Sequence, residues 1–164
     1  MHIFEENIKK LDLKIPHLPS PLANYVPYKV SDNTVYVSGQ GPVIDGKIIY
    51  SGKVGNEISQ EEGVKAAELC CINIIAALKS SINGDWNRLD TFLKLGGFVN
   101  CDNDFSDQPK IINGASDLLV NIFGDKGRHS RFAVGSNALP LNLSLIHISE
   151  PTRQAEISYA VFCL

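Results

Sequence analysis

Residues 59–100 read SQEEGVKAAELCCINIIAALKSSINGDWNRLDTFLKLGGFVN, and the change of hydrophobic period within this stretch decides the fold class. Ser59-Gln60-Glu61-Glu62 has the form of a capping box, a hydroxyl and a carboxylate spaced to satisfy each other's orphan amides, so a helix starts there. Val64, Ala67, Cys71, Ile74 and Leu78 recur at three- and four-residue steps and lay one apolar stripe on a partner layer until Asn83-Gly84 ends the helix. Leu89 to Asn100 then reads as a long strand, in which Gly96-Gly97 predicts a bulge or a close backbone approach.

The flanks repeat this alternation. Ahead of the long helix, Ile3 to Leu13 places Ile3, Phe4, Ile8 and Leu11 at helical spacing, and Pro16, Pro19 and Pro21 then force an extended segment to about Ala23. From Tyr28 to Gly39 two β-rich runs surround Ser31-Asp32-Asn33, a hairpin signature, and Lys47 to Tyr50 follows as a short edge strand. Beyond the long strand, Asp107 is placed to cap a second helix with Pro109 in its first turn and Ile111, Ala115, Leu118, Leu119 and Ile122 as its stripe. Gly124 ends that helix, and a last strand runs from Arg128 to Val134. The order predicts an α+β layer with two helices on one sheet face.

Composition limits the function. At 164 residues, with 44% hydrophobic and 20% charged residues, the chain suits one globular domain with a real core. A net charge of -3 supplies no basic field for a phosphate backbone, and the longest apolar run falls short of the roughly 20 residues of a membrane span. Without a signal-peptide pattern at Met1-His2-Ile3-Phe4, the expected location is cytoplasmic, with neither nucleic acid nor membrane as partner. Cys70, Cys71, Cys101 and Cys163 show no ligand spacing, so no metal and no disulfide framework is expected. Adjacent Cys70 and Cys71 diverge by about 100° on a helix, which predicts that at most one faces the core squarely.

Leu143 to Arg153 resembles the frame translation of a transposase-type sequencing-library adapter, and Ile157 to Leu164 resembles that of the adjoining primer end, with Gln154-Ala155-Glu156 where a sample index would fall. The expected organisation is therefore an N-terminal helix and Pro-rich extension over 1–23, one domain over 24–142, and an artefact over 143–164. The strand-forming composition of the tail predicts that it lies along the sheet edge. No functional weight is placed on His147, Arg153, Glu156 or Cys163.

Three clusters carry chemistry. Asn24-Tyr25-Val26-Pro27 with Val37 to Pro42 is a strand that exits through small polar residues and glycines, either a binding loop or an ordinary turn. In Gly127-Arg128-His129-Ser130-Arg131-Phe132-Ala133-Val134, strand alternation puts His129 and Arg131 on one face. An Arg on such a strand needs a carboxylate, supplied either by a ligand or by a structural salt bridge, and His129 reads as a hydrogen-bonded sheet histidine rather than a base. Asn113 is a poor helix-interior residue unless its amide has a specific partner, the alternative being a solvated surface position.

At these clusters the sequence resembles the Rid family, also called YjgF or endoribonuclease L-PSP proteins. The resemblance runs from about Asn24 to Asn142 and rests on Val37–Gln40, Asn113–Asp117 and Gly127–Gly135 together. It implies a chorismate-mutase-like fold, a six-stranded and mostly antiparallel sheet backed by two helices. It also implies a homotrimer with a pocket at each subunit interface, where water hydrolyses a reactive enamine or imine to a 2-oxo acid and ammonia without organic cofactor or metal. On this resemblance Arg131 is the carboxylate clamp, Tyr25 and Asn113 are pocket walls, and Gly39 and Ala133 are backbone contacts. Ala133 departs from the deaminase branch, which carries Cys there, and the acidic residue of the last strand falls beyond Asn142. A non-catalytic trimer that binds small carboxylates is therefore the alternative, and a ribonuclease is disfavoured by charge.

Overall fold

The computed structural model describes residues 1–18 and 24–153, so Pro19, Pro21 and the extension to Ala23, like Glu156 and Cys163, lie outside the described residues. Helix α1 (Ile3–Lys10) leads to the hairpin of β1 (Tyr28–Ser31) and β2 (Thr34–Gln40), then to the short strands β3 (Val43–Ile44) and β4 (Lys47–Ile48). Helix α2 (Gln60–Ser81), β5 (Leu89–Asn100), α3 (Gln108–Phe123), β6 (Ser130–Ser136) and β7 (Leu145–Arg153) follow.

The main sheet has the order β1-β2-β7-β5-β6. Every neighbouring pair is antiparallel except β5 and β6, whose parallel register needs a crossover, and α3 provides it. Among the described residues this sheet has five strands rather than six. The expected edge strand at Lys47 instead pairs with β3 in a separate two-stranded sheet, because the Asp45-Gly46 turn folds it back on its immediate predecessor. Among the described residues the α-helices number three, α1 docking on α3 through Asn7 Nδ2, which donates to the Ile122 carbonyl at 2.8 Å. Phe4 and Ile8 are buried while Ile3 and Leu11 stay exposed, and Phe4 packs on Phe123 with ring centroids 5.0 Å apart.

The capping box of α2 forms in both directions: Ser59 N–H donates to Glu62 Oε2 at 2.8 Å and Glu62 N–H to Ser59 Oγ at 3.2 Å. Asp107 sits at the start of α3 without capping it. Its ψ of 24° turns the carboxylate from the helix amides, and Lys110 Nζ takes Oδ2 at 2.8 Å. Cys70 and Cys71 are both fully buried, against expectation, because α2 is covered on two sides. The Cys70 thiol donates toward the Leu145 carbonyl of the sheet and that of Cys71 toward the Ala115 carbonyl of α3.

Gly97 explains how closely α3 approaches the sheet, since a Cβ there would collide with the Ile112 side chain. Among the described residues no helix or second sheet covers the face of the main sheet away from the helices. Phe98 and Phe132 meet edge to face on it with centroids 5.3 Å apart, Ile148 reaches across Gly96, and Tyr36 and Val134 are 49% and 42% exposed.

The tail does not lie along an edge. β7 occupies the centre of the sheet between β2 and β5, since the ladder is built from backbone groups that any non-proline residue can offer. Its side chains alternate in burial, Leu145, His147, Ser149 and Pro151 being buried.

Candidate active site at the β6 edge

Strand β6 begins at Ser130 rather than Arg128, so His129 precedes it, yet His129 and Arg131 both turn toward α3 and meet Ser116. Arg131 Nη1 donates to Ser116 Oγ at 3.0 Å, and Nη2 reaches the Pro109 carbonyl at 3.5 Å. Among the described residues no carboxylate stands within salt-bridge distance of this exposed guanidinium. Its two partners are neutral oxygens, and its charge is uncompensated by them. Asn113, exposed on α3, lies one turn from both Pro109 and Ser116, so its amide shares the helix face that Arg131 reaches.

His129 is held at both ring nitrogens, Nδ1 lying 2.7 Å from the Gly127 carbonyl and Nε2 lying 3.1 Å from Ser116 Oγ. Burial holds its pKa below the ordinary histidine value, opposed by the Gly127 carbonyl and reinforced by the Arg131 charge. The imidazole is thus neutral at physiological pH. Ala133, half-buried, sits opposite Gly97 in the parallel register and packs against the core.

Tyr25 and Gly39 stand elsewhere. Tyr25 is 52% exposed in the loop before β1, a loop held to β2 by Ser38 Oγ donating to the Val26 carbonyl at 2.6 Å. Gly39 lies on β2, and β7 and β5 separate that strand from β6, about 14 Å at ordinary strand spacing. Within one protomer the candidate residues therefore fall into two groups, Tyr25 and Gly39 toward the β1–β2 side of the sheet and Arg131 with Asn113 at the β6 edge.

Two side chains near these groups were not brought out by the sequence alone. Asn73, buried on α2, donates through Nδ2 to the Gly41 and Val43 carbonyls at 3.0 Å each and pins the glycine-rich exit of β2. An Asn within an otherwise apolar helical stripe was the available signal. Ser116 stands inside the Asn-Gly-Ala-Ser-Asp motif, but its contacts depend on a histidine thirteen residues away that only the fold brings near. No group of three or more potential metal ligands occurs among the described residues.

The family model described as "YjgF/chorismate_mutase-like, putative endoribonuclease" matches residues 5–150. The chain belongs to the YjgF/chorismate-mutase-like family. Within that family it is similar to Protein TCP17 of Trypanosoma cruzi, 36% identical over 140 residues that make up 85% of this chain and 87% of that protein. The crystal structure of Atu1372 from Agrobacterium tumefaciens, a protein of unknown function, is 39% identical and superposes with a TM-score of 0.87 over 93% of either chain. The YjgF-like fold is also shared with E. coli TdcF, solved with bound serine, at 19% identity and a TM-score of 0.61 over 84% of this chain and 94% of that one.

Proposed function

We propose that this YjgF-family protein hydrolyses small carboxylate-bearing enamines or imines to 2-oxo acids and ammonia, in a homotrimer whose site joins the Arg131 half of one subunit to the Tyr25–Gly39 half of the next. The observation that carries the reading is Arg131. A guanidinium displayed at a sheet edge, held by a serine hydroxyl and a backbone carbonyl, keeps donors free for a bidentate carboxylate. The bare apolar sheet face with Phe98, Phe132, Ile148 and Val134 favours self-association, since a contiguous apolar patch of this kind marks a protein contact. TdcF with its serine supports the substrate class, a small molecule with a carboxylate beside a nitrogen-bearing carbon. Neutralising that carboxylate and orienting the imine carbon toward water is the work assigned to Arg131, with Asn113, Tyr25, Gly39 and the Ala133 backbone as walls.

Ala133 favours a second reading, binding of 2-oxo acids without turnover. No helix among the described residues is long and apolar enough to cross a membrane, and the net charge of -3 opposes an RNA substrate.

Residues 143–164 belong, on this reading, to adapter rather than to the gene. Both ring nitrogens of His147 are buried without a hydrogen-bond partner, and Pro151 stands in a central strand opposite Phe92, two features a selected strand avoids. Sequencing the gene from genomic DNA past codon 142 tests this, and the same residues read again would refute it.

The deciding experiment is imine hydrolysis by the protein with its genomic C-terminus, beside Arg131→Ala. Turnover that falls at least about 100-fold in kcat/KM with Arg131→Ala is expected, the loss of one charged hydrogen-bonding group. No turnover, with 2-oxo acids still bound through Arg131, would transfer the assignment to the binding module.

A further inference from the structure

We propose that Ser116 and His129 form the proton relay of this site, Ser116 Oγ accepting a proton from the attacking water as its own hydroxyl proton passes to His129 Nε2. The proposal rests on the hydrolytic reading above and adds to it the base that Arg131 cannot supply.

The hydrogen bonds fix the direction of transfer. A carbonyl only accepts, so the 2.7 Å contact of Nδ1 with the Gly127 carbonyl requires the proton on Nδ1. Neutral His129 therefore carries a lone pair at Nε2, and the Ser116 hydroxyl 3.1 Å away donates to it. Arg131 Nη1 donates to Ser116 Oγ at 3.0 Å, which occupies one of the two oxygen lone pairs and leaves the other for a water proton. The tautomer is held by the backbone itself: a Cβ at Gly127 would collide with the Leu119 carbonyl of α3, so glycine lets this turn press on α3 and hold its carbonyl under the imidazole.

In the reaction, water oxygen bonds to the iminium carbon and the C=N π pair moves to nitrogen. One water proton passes to Ser116 Oγ and the serine proton to Nε2. The imidazolium, still bonded through Nδ1–H to Gly127, returns a proton by the same route to the carbinolamine nitrogen. The C–N bond then breaks as the hydroxyl oxygen forms the carbonyl; its proton passes through Ser116 to Nε2 and back to the departing ammonia, so that iminium and water become 2-oxo acid and ammonium. The charged group acting on His129 is Arg131, two residues on in β6, and His129 in turn acts electrostatically on the buried His147 of β7. While Arg131 is unpaired it opposes formation of the imidazolium. A carboxylate seated on its fork removes that opposition, so substrate binding itself makes the relay competent.

The test uses the protein with its genomic C-terminus, 2-oxobutanoate as probe, and the variants Ser116→Ala, Ser116→Thr and His129→Gln. Ser116→Ala should lower kcat by roughly 100- to 10,000-fold with little change in KM, and Ser116→Thr should recover most of it. His129→Gln should abolish the acidic limb of the kcat–pH profile. In NMR titrations, 2-oxobutanoate should raise the His129 pKa by about one unit, and this rise should vanish in Arg131→Ala. An unmoved His129 titration, or a Ser116→Ala variant that loses only KM, would overturn the relay and leave the pair as a positioning clamp for Arg131. Because the titration needs no turnover, it decides the relay even where the unsubstituted protein proves inactive, an outcome that counts against the hydrolytic reading alone.

Discussion

Gly97 shows how one missing methyl group sets the geometry of the site. Ile112 of α3 rests on its bare backbone, and α3 carries Pro109, Asn113 and Ser116 to the strand bearing Arg131. Gly97→Ala should destabilise the protein by about 1–3 kcal/mol, the usual result of overpacking, and should push α3 outward. Urea unfolding measures the first effect, and a wild-type midpoint would show that Ile112 yields freely. At this scale the sequence was readable where local geometry alone decides, as with His129 and Arg131 turning to one side, although His129 precedes the strand. It was silent on Ser116, whose partners lie on another element, and misleading at Asp107, where Lys110 competes for the cap.

Among the elements, the long helix and the long strand were legible to the residue: the box at Ser59 starts α2, and β5 spans Leu89–Asn100 as its β-rich run predicts. Lateral order was not. Nothing in a strand's own composition states that β7 enters between β2 and β5, and that insertion is what sets Gly39 of β2 apart from Arg131 of β6. Cys70 went astray for a related reason, since the stripe that includes Cys71 shows one contact layer and α2 has two. β7 also carries an acid liability. Complete burial pushes His147 down to about 3, whereas the unfolded chain titrates near 6.5, so the unfolded state binds more protons between these values. The stability this histidine confers by staying neutral is whole above pH 6.5 and drains away as pH falls toward 3. The loss is on the order of 4 kcal/mol. Urea midpoints at pH 7 and pH 4 measure it, and His147→Leu should flatten the difference. An equally steep loss in that variant would place the liability elsewhere.

For the molecule as a whole, the bare sheet face and the divided site point to one experiment. Phe132→Asp sets a charge on the apolar face and should yield monomers in analytical ultracentrifugation, with turnover lost although Arg131 is untouched. Mixed trimers of Arg131→Ala and Tyr25→Ala should recover about a quarter of the wild-type rate, because each mixed ring retains one interface with both halves intact. A fully active monomer would defeat both expectations.

Burial of the three described thiols gives the protein an internal clock. Cys70 and Cys71 lie under the sheet and α3, and burial pushes both thiols upward in pKa, far from the reactive thiolate. Cys101, at the end of β5, is 5% exposed and abuts Gly135 of the edge strand. An alkylating reagent can reach these sulfurs only during excursions that lift a layer. Labelling should therefore proceed in two phases, Cys101 first as β6 peels from the sheet, then Cys70 and Cys71 at the rate of global opening. The ratio of the two labelling rates, followed by mass spectrometry, would measure how much more readily the edge bearing Arg131 opens than the rest of the molecule unfolds.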